Sequence, residues 1–316
     1  MTRTPLFHSR KLGLAVAQMG PVLPGDGRRA VVARLVELLR EAASRGAELV
    51  VFPELALTTF FPRYWMDERE AVQLYFEREM PNADVQPLFD EAKKLEIGFY
   101  LGYAELTLEG RRFNTCILVN RRGEIVGKYR KVHLPGGTTR IPDSPFQSLE
   151  KKYFEVGDLG FPVSRQFDAN VGMCLCNDRR WPETYRVMAM QDAELILIGY
   201  NTRYYNPDWK EPQHLRMFHH LLSLQANAYQ NATWVAAAGK SGVEDGYHMI
   251  AGSVIVAPTG EIVAQSLSEE DEVIDTIIDL GWCENYKKYV FNFARHRRPE
   301  HYGLIVERAG AIPPEA

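Results

Sequence analysis

Apolar runs of strand length alternate with stretches of helical spacing along this chain, and the order is the same in both halves. Residues 11–18 read as a strand, and residues 28–45 set Val31, Val32, Leu35, Leu38, Leu39 and Ala42 at helical spacing before a glycine stop at Gly46. Residues 48–52 (Glu-Leu-Val-Val-Phe) form the next strand, and strand, helix, strand is the order of a parallel crossover unit. A helix over 85–95 then leads to strands 97–103 and 113–119, which with the turn 120–123 read as a hairpin. The second half predicts strand 171–175, helix 183–191, strand 194–198 and helix 214–230. Strands 233–237 and 253–257 follow, with a turn at 258–260 before 261–264. No low-complexity linker or short repeat interrupts this rhythm. The expectation is one α/β domain over residues 1–316 with two mixed sheets.

A chain of 316 residues, 46% hydrophobic and 25% charged, can bury a large core and has an ordinary soluble composition. Its net charge of -4 argues against a nucleic-acid partner, and the one dense basic cluster, residues 295–298, reads as a docking or subunit-contact segment. Residues 1–10 hold no apolar core of signal-peptide length, and no later stretch suits a bilayer, so a cytoplasmic protein without membrane partners is expected. Cys116, Cys174, Cys176 and Cys283 are too few for a disulfide framework, and a reducing compartment keeps them as thiols.

Chemistry in such folds gathers at the carboxyl ends of strands, where three residues stand out. Cys176 follows the apolar run 171–175 and precedes Asn177, Asp178, Arg179 and Arg180; neighbouring cations favour a thiolate nucleophile, although a packed core cysteine would look similar. Glu54 closes the run 49–52 after Pro53, where desolvation can make a carboxylate a general base, or where it can be a solvated strand-end charge. Lys131 lies in the basic run 127–135, either as an oxyanion stabiliser or as part of an exposed charged stretch. His133 fits a core histidine as well as a catalytic one. Cys174, two residues from Cys176, reads as packing. With His133, His219 and His220 it makes no zinc spacing, so no metal or cofactor is expected.

Residues 51–56 (Val-Phe-Pro-Glu-Leu-Ala), 127–135 (Gly-Lys-Tyr-Arg-Lys-Val-His-Leu-Pro) and 172–183 (Gly-Met-Cys-Leu-Cys-Asn-Asp-Arg-Arg-Trp-Pro-Glu) resemble the nitrilase, or carbon-nitrogen hydrolase, superfamily over nearly the whole chain. Residues 55–63, 176–183, 218–223, 291–293 and 301–304 are more particularly similar to the N-carbamoyl-D-amino-acid amidohydrolases. The resemblance implies a four-layer αββα sandwich with Cys176 as nucleophile, Glu54 as general base and Lys131 as oxyanion stabiliser. It also implies that Glu150 is a second carboxylate beside the lysine, where local sequence alone shows a helix-surface charge next to Lys151 and Lys152. It places Asn201 and Thr202 in the pocket, His133 and Asn177 among the substrate contacts, and the extension from about 283 to 316 in the contacts of a homodimer or homotetramer.

An N-carbamoyl amino acid offers a poorly electrophilic urea carbonyl and a carboxylate, so its hydrolysis needs a nucleophile, an oxyanion donor and an anion clamp. Cys176 supplies the first, Lys131 with a backbone N–H near Asn177 the second, and Arg179 and Arg180 the third, unless they pair with Asp178 or Glu183. The expected products are a D-amino acid, ammonia and carbon dioxide. The alternatives are another ureido acid, such as a β-ureido acid, a carboxylate-bearing amide, or a catalytically silent scaffold on the same fold. Ser148 and Gly137 stand where relatives carry histidines, and the loops 136–145 and 203–209 are positioned to reshape the pocket.

Overall fold

The structure, a computed structural model, describes residues 7–67, 69–144, 147–205 and 212–314. Strand β1 (Lys11–Gln18) is buried at every residue after Lys11, because both its faces are covered. Leu12, Leu14 and Val16 enter one apolar cluster while Ala15 and Ala17 enter another, the period-two alternation of a strand between two layers.

Helix α1 (Arg28–Ser44) presents its apolar stripe to this sheet, and β2 (Leu49–Val51) pairs parallel with β1. After α2 (Arg69–Gln73) and α3 (Gln86–Leu95), β3 (Gly98–Leu106) pairs parallel with β2, and β4 (Arg112–Val119) and β5 (Ile125–Arg130) extend the sheet antiparallel. The second half opens with α4 (Glu150–Tyr153) and β6 (Val163–Gln166). It repeats the plan with β7 (Ala169–Leu175), α5 (Pro182–Ala189), β8 (Leu195–Tyr200), α6 (His214–Asn231) and β9 (Trp234–Gly239), β7 to β9 being parallel. A short hairpin, β10 (Val243–Glu244) and β11 (Tyr247–His248), precedes β12 (Val254–Val256), β13 (Ile262–Gln265) and β14 (Glu272–Asp279).

The two six-stranded sheets run β14-β1-β2-β3-β4-β5 and β13-β12-β9-β8-β7-β6. They pack face to face, with α1 and α3 outside the first and α5 and α6 outside the second, which makes the expected α/β four-layer sandwich.

Two features depart from the sequence reading. β14, which closes the first sheet against β1, was not anticipated: Val273, Ile274, Ile277 and Ile278 come in adjacent pairs, a spacing that does not alternate. The sequence suggests a short strand over 124–126 ahead of the basic stretch, but β5 runs on through that stretch to Arg130, because it is an edge strand whose Lys128 and Arg130 pair with Glu105. The aromatic loop expected to reshape the pocket lies partly outside the described residues, as does Pro145 at the end of the other. Among the described residues no helix is long and apolar enough to cross a membrane.

Candidate active site

Glu54 reaches the space between the sheets because two glycines make room for its backbone. A Cβ at Gly102 of β3 would sit 2.7 Å from Glu54 Cα, and one at Gly199 of β8 would sit 2.6 Å from its backbone nitrogen. The chain then turns sharply at Leu55, whose φ of +46° lies in the left-handed region. Cys176 has the same geometry, with φ +43°, at the break between β7 and a single 3-10 turn over Cys176–Arg180. Each such residue costs on the order of 1–3 kcal/mol, a strain that persists only where the surroundings impose it.

Asp178 imposes it at Cys176. Its buried carboxylate accepts Leu175 N (3.0 Å) and Tyr129 Oη (2.7 Å) on one oxygen and His133 N (2.9 Å) on the other, tying the elbow to the end of β5. Lys131 lies one residue beyond β5 and is paired across the ladder with Asn114, whose backbone oxygen accepts its N–H at 2.8 Å. Both side chains therefore leave the sheet on the side of Glu54.

The result is a buried cluster of Glu54, Lys131, Glu150, Asn114 and Cys176. Lys131 Nζ donates to Glu54 Oε1 at 2.7 Å and to Glu150 Oε2 at 2.6 Å, and Asn114 Nδ2 donates to the same two oxygens at 2.9 and 3.4 Å. Asn201 N fixes the other Glu54 oxygen at 2.9 Å, and its Nδ2 donates to Glu54 O at 2.6 Å. Cys176 Sγ lies 3.4 Å from Asn201 O and 4.0 Å from Thr202 Oγ1. The surface reading of Glu150 fails: it is buried at the start of α4, not displayed beside Lys151 and Lys152.

Burial pushes the Glu150 carboxyl up to about 7, the charge of Lys131 working against the rise and that of Glu54 with it. Burial also opposes the charge on Lys131, but Glu150 and Glu54 outweigh it and hold the ammonium above its ordinary range. The Cys176 thiol is pushed up by burial and by Glu54, against the pull of Lys131 and Arg179. Arg179 thus acts in the expected direction but is outweighed: at rest the thiol keeps its proton, and a base must take it.

Arg179, expected beside Arg180 as a carboxylate clamp, is buried and bonded on three sides. Nε donates to His220 Nδ1 (3.0 Å), Nη1 to Cys176 O (2.6 Å) and Nη2 to Thr202 Oγ1 (2.9 Å). It braces the elbow, and His220 braces it, with Nε2 directed at Gly252 O at 3.1 Å. His133 is not among the described residues lining the cleft; it binds Asp178 through Nδ1 at 2.8 Å and stacks on Trp181. Asn177 does line the cleft, with Nδ2 held by His133 O at 3.1 Å. Cys174 lies wholly in the core between the sheets.

Cys176 opens into a cleft lined also by Phe60, Ser148, Glu150, Arg179, Arg180, Arg203, Arg216 and Met249, besides Asn201 and Thr202, so Arg179 meets the cleft while it braces the elbow. Sequence reasoning missed Asn114, the bracing role of His220, and Arg216, and it named Arg203 only as the start of a loop able to reshape the pocket. Asn114 left a signal, a buried amide interrupting the apolar run of β4, and buried polar groups need a partner. The others come into place only through α6 and the segment after β8. Among the described residues no group of three or more His, Cys, Asp or Glu side chains is placed to hold a metal ion.

Comparison with known proteins agrees with this architecture. Residues 13–288 match the family model for carbon-nitrogen hydrolases. The chain is 29% identical over 291 residues to a nitrilase of Pyrococcus abyssi, covering 92% of this chain and 98% of the relative. It is 28% identical over 301 residues to an N-carbamoylputrescine amidase of Solanum lycopersicum, covering 89% and 91%. A carbon-nitrogen hydrolase structure from Helicobacter pylori superimposes with a TM-score of 0.82 at 24% identity, covering 95% of this chain and 99% of that one. An amidase from Nesterenkonia sp. AN1 (TM-score 0.69, 21% identity, 93% and 98% covered) has been solved with the acetamide moiety of fluoroacetamide added to its active-site cysteine. These relatives bear names other than N-carbamoyl-D-amino-acid amidohydrolase, so the similarity reaches the broader family: this chain belongs to the carbon-nitrogen hydrolases.

Proposed function

We propose that the chain hydrolyses N-carbamoyl-D-amino acids to D-amino acid, ammonia and carbon dioxide, with Cys176 as nucleophile. The observation that supports the reading is the arginine lining, Arg179, Arg180, Arg203 and Arg216, of the cleft that holds the thiol. A guanidinium takes a carboxylate through two parallel hydrogen bonds, and guanidiniums in the lining favour an anionic substrate. The preference for the D-isomer rests on the resemblance of residues 55–63, 176–183 and 218–223.

Glu54, oriented by Asn201 and Lys131, accepts the thiol proton as sulfur bonds to the carbamoyl carbon. Lys131 has three donor protons, two of them held by Glu54 and Glu150, which leaves the third for the oxyanion. Collapse breaks one C–N bond, and Glu54 returns the proton to the departing nitrogen. Water, deprotonated by Glu54, then cleaves the enzyme thiocarbamate, and the carbamate released loses carbon dioxide to free the second nitrogen.

A second reading, a β-ureido acid or a carboxylate-bearing amide, follows from Ser148, which lines the cleft where a histidine is usual in the resembled group. A panel of N-carbamoyl-D- and L-amino acids, β-ureido acids and uncharged amides separates the two by ammonia release. Arg180→Ala is expected to raise KM for carboxylate-bearing substrates by about 10- to 100-fold, the loss of one charged hydrogen-bonding partner, and to spare uncharged amides. Equal losses on both classes would remove the clamp. Exposed Tyr289, Val290, Leu304, Ile305 and Val306 support the further proposal that the C-terminal extension packs on a second copy; a monomer by light scattering would contradict it.

A further inference from the structure

Beside the cleft lies a second buried ionic cluster that the chemistry above does not use: Arg63, Lys240 and Glu244. Glu244 is its hub. Oε1 accepts Phe60 N at 2.7 Å, Arg63 Nη2 at 2.8 Å and Thr59 Oγ1 at 3.3 Å, while Oε2 accepts Lys240 Nζ at 2.9 Å and Val22 N at 3.0 Å. The two cations reach past the carboxylate to carbonyls, Lys240 Nζ to Thr58 O and Arg63 Nη1 to Glu244 O, both at 2.5 Å, and Arg63 also stacks on Tyr247 of β11 at 4.5 Å. A cluster this fully bonded has one low-energy arrangement, because displacing any member strands a buried charge.

The segments it joins are the two walls of the cleft. On one side, residues 58–63 carry Phe60, and Pro62 O accepts Leu149 N at 3.0 Å next to Glu150. On the other, Glu244 belongs to the hairpin that delivers Met249, which forms a bridge with Arg203, while Ile250 N binds Thr202 O at 2.9 Å. One carboxylate thus links Phe60 to Met249, Thr202 and Arg203, all lining residues.

We propose that Glu244 is a positioning residue which, with Arg63 and Lys240, sets the spacing of the Phe60 and Met249 walls and so limits the size of the group that reaches Cys176. This rests on Cys176 being the reactive group of the cleft, and not on which amide or ureide enters.

The test is the alkylation rate of Cys176, followed by intact mass against Cys176→Ala as background, with iodoacetamide and with bulkier N-benzyl iodoacetamide. Glu244→Gln keeps the side-chain shape but turns one acceptor into a donor facing other donors. It is expected to leave the iodoacetamide rate within about 2-fold of wild type and to raise the bulky reagent's relative rate by about 10-fold, the change that 1.4 kcal/mol produces. Phe60→Ala, which opens one wall and leaves the carboxylate's bonds in place, should reproduce the change in ratio without a loss of melting temperature. Thr59→Val removes a single bond to Glu244 and should shift the ratio in the same direction by less; it decides the matter if Glu244→Gln does not fold. Iodoacetamide reactivity retained with an unchanged ratio overturns this proposal alone. Failure of wild-type Cys176 to react with either reagent overturns the nucleophile reading and this proposal with it.

Discussion

Lys131→Met is expected to cost about 3–5 kcal/mol of folding stability at pH 8, the usual penalty for breaking a buried ion pair from one side, and to remove nearly all activity. The ammonium is the only cation bonded to Glu54 Oε1 and Glu150 Oε2 among the described residues, at 2.7 and 2.6 Å, and all three groups are buried. Without it, two carboxylates share the donor of Asn114 in a site with no bulk water to screen them. Glu150, already raised to about 7, relieves this by holding its proton more tightly, so its folded-state pKa rises further above the unfolded one. The folded state then binds more protons than the unfolded state between those values, and stability falls as pH rises, by about 1.4 kcal/mol per pH unit for each proton held. The deficit of the variant should therefore shrink from pH 8 to pH 5.5. The wild type carries the same sign in weaker form: with Glu150 raised to about 7, stability declines from the ordinary carboxylate range near 4.5 up to that pH. Urea denaturation at pH 5.5, 7 and 8 measures both, and a deficit independent of pH would show that the lysine acts by packing alone.

The central strands and the α/β class were legible because strands covered on both faces read as unbroken apolar runs, as in residues 49–52, with amphipathic helices between them. Glu54 and Cys176 were legible because each breaks such a run at its end, and Lys131 because its motif resembles a known family. The state of these groups was not legible. Arg179 does pull the thiol toward its charged form, with Nη1 3.7 Å from Cys176 Sγ, but burial and the charge of Glu54 outweigh it, and neither of those is visible in local sequence. Glu150 looked like a surface charge since nothing local shows that α4 is turned inward by the bond between Leu149 N and Pro62 O. The clamp of Glu244 joins residues 181 to 222 positions apart in sequence, a distance at which residue spacing is silent.

Glu54→Gln and Cys176→Ala are both expected to lower kcat by about 10³- to 10⁴-fold or more, the loss typical of a base or nucleophile that acts as part of one unit, but Glu54→Gln should keep a thiol that alkylates at least as readily as that of the wild type. In the wild type the charge of Glu54 is, after burial, the main force holding the Cys176 proton on. A glutamine keeps the side-chain size and removes that charge, leaving Lys131 and Arg179 to favour the thiolate. The Cys176 pKa should therefore fall in Glu54→Gln. Alkylation by iodoacetamide consumes a preformed thiolate and expels iodide, which needs no proton. Its pH profile should shift to lower pH, with a rate at pH 7 no slower than wild type, even as hydrolysis, whose leaving nitrogen must be protonated, is nearly lost. Glu54 would then be a proton carrier that keeps the nucleophile idle until a substrate draws the proton through it. If alkylation and turnover fall together, or the alkylation profile moves to higher pH, Glu54 instead serves to hold the elbow and Lys131 in place, and the base must be sought at Glu150.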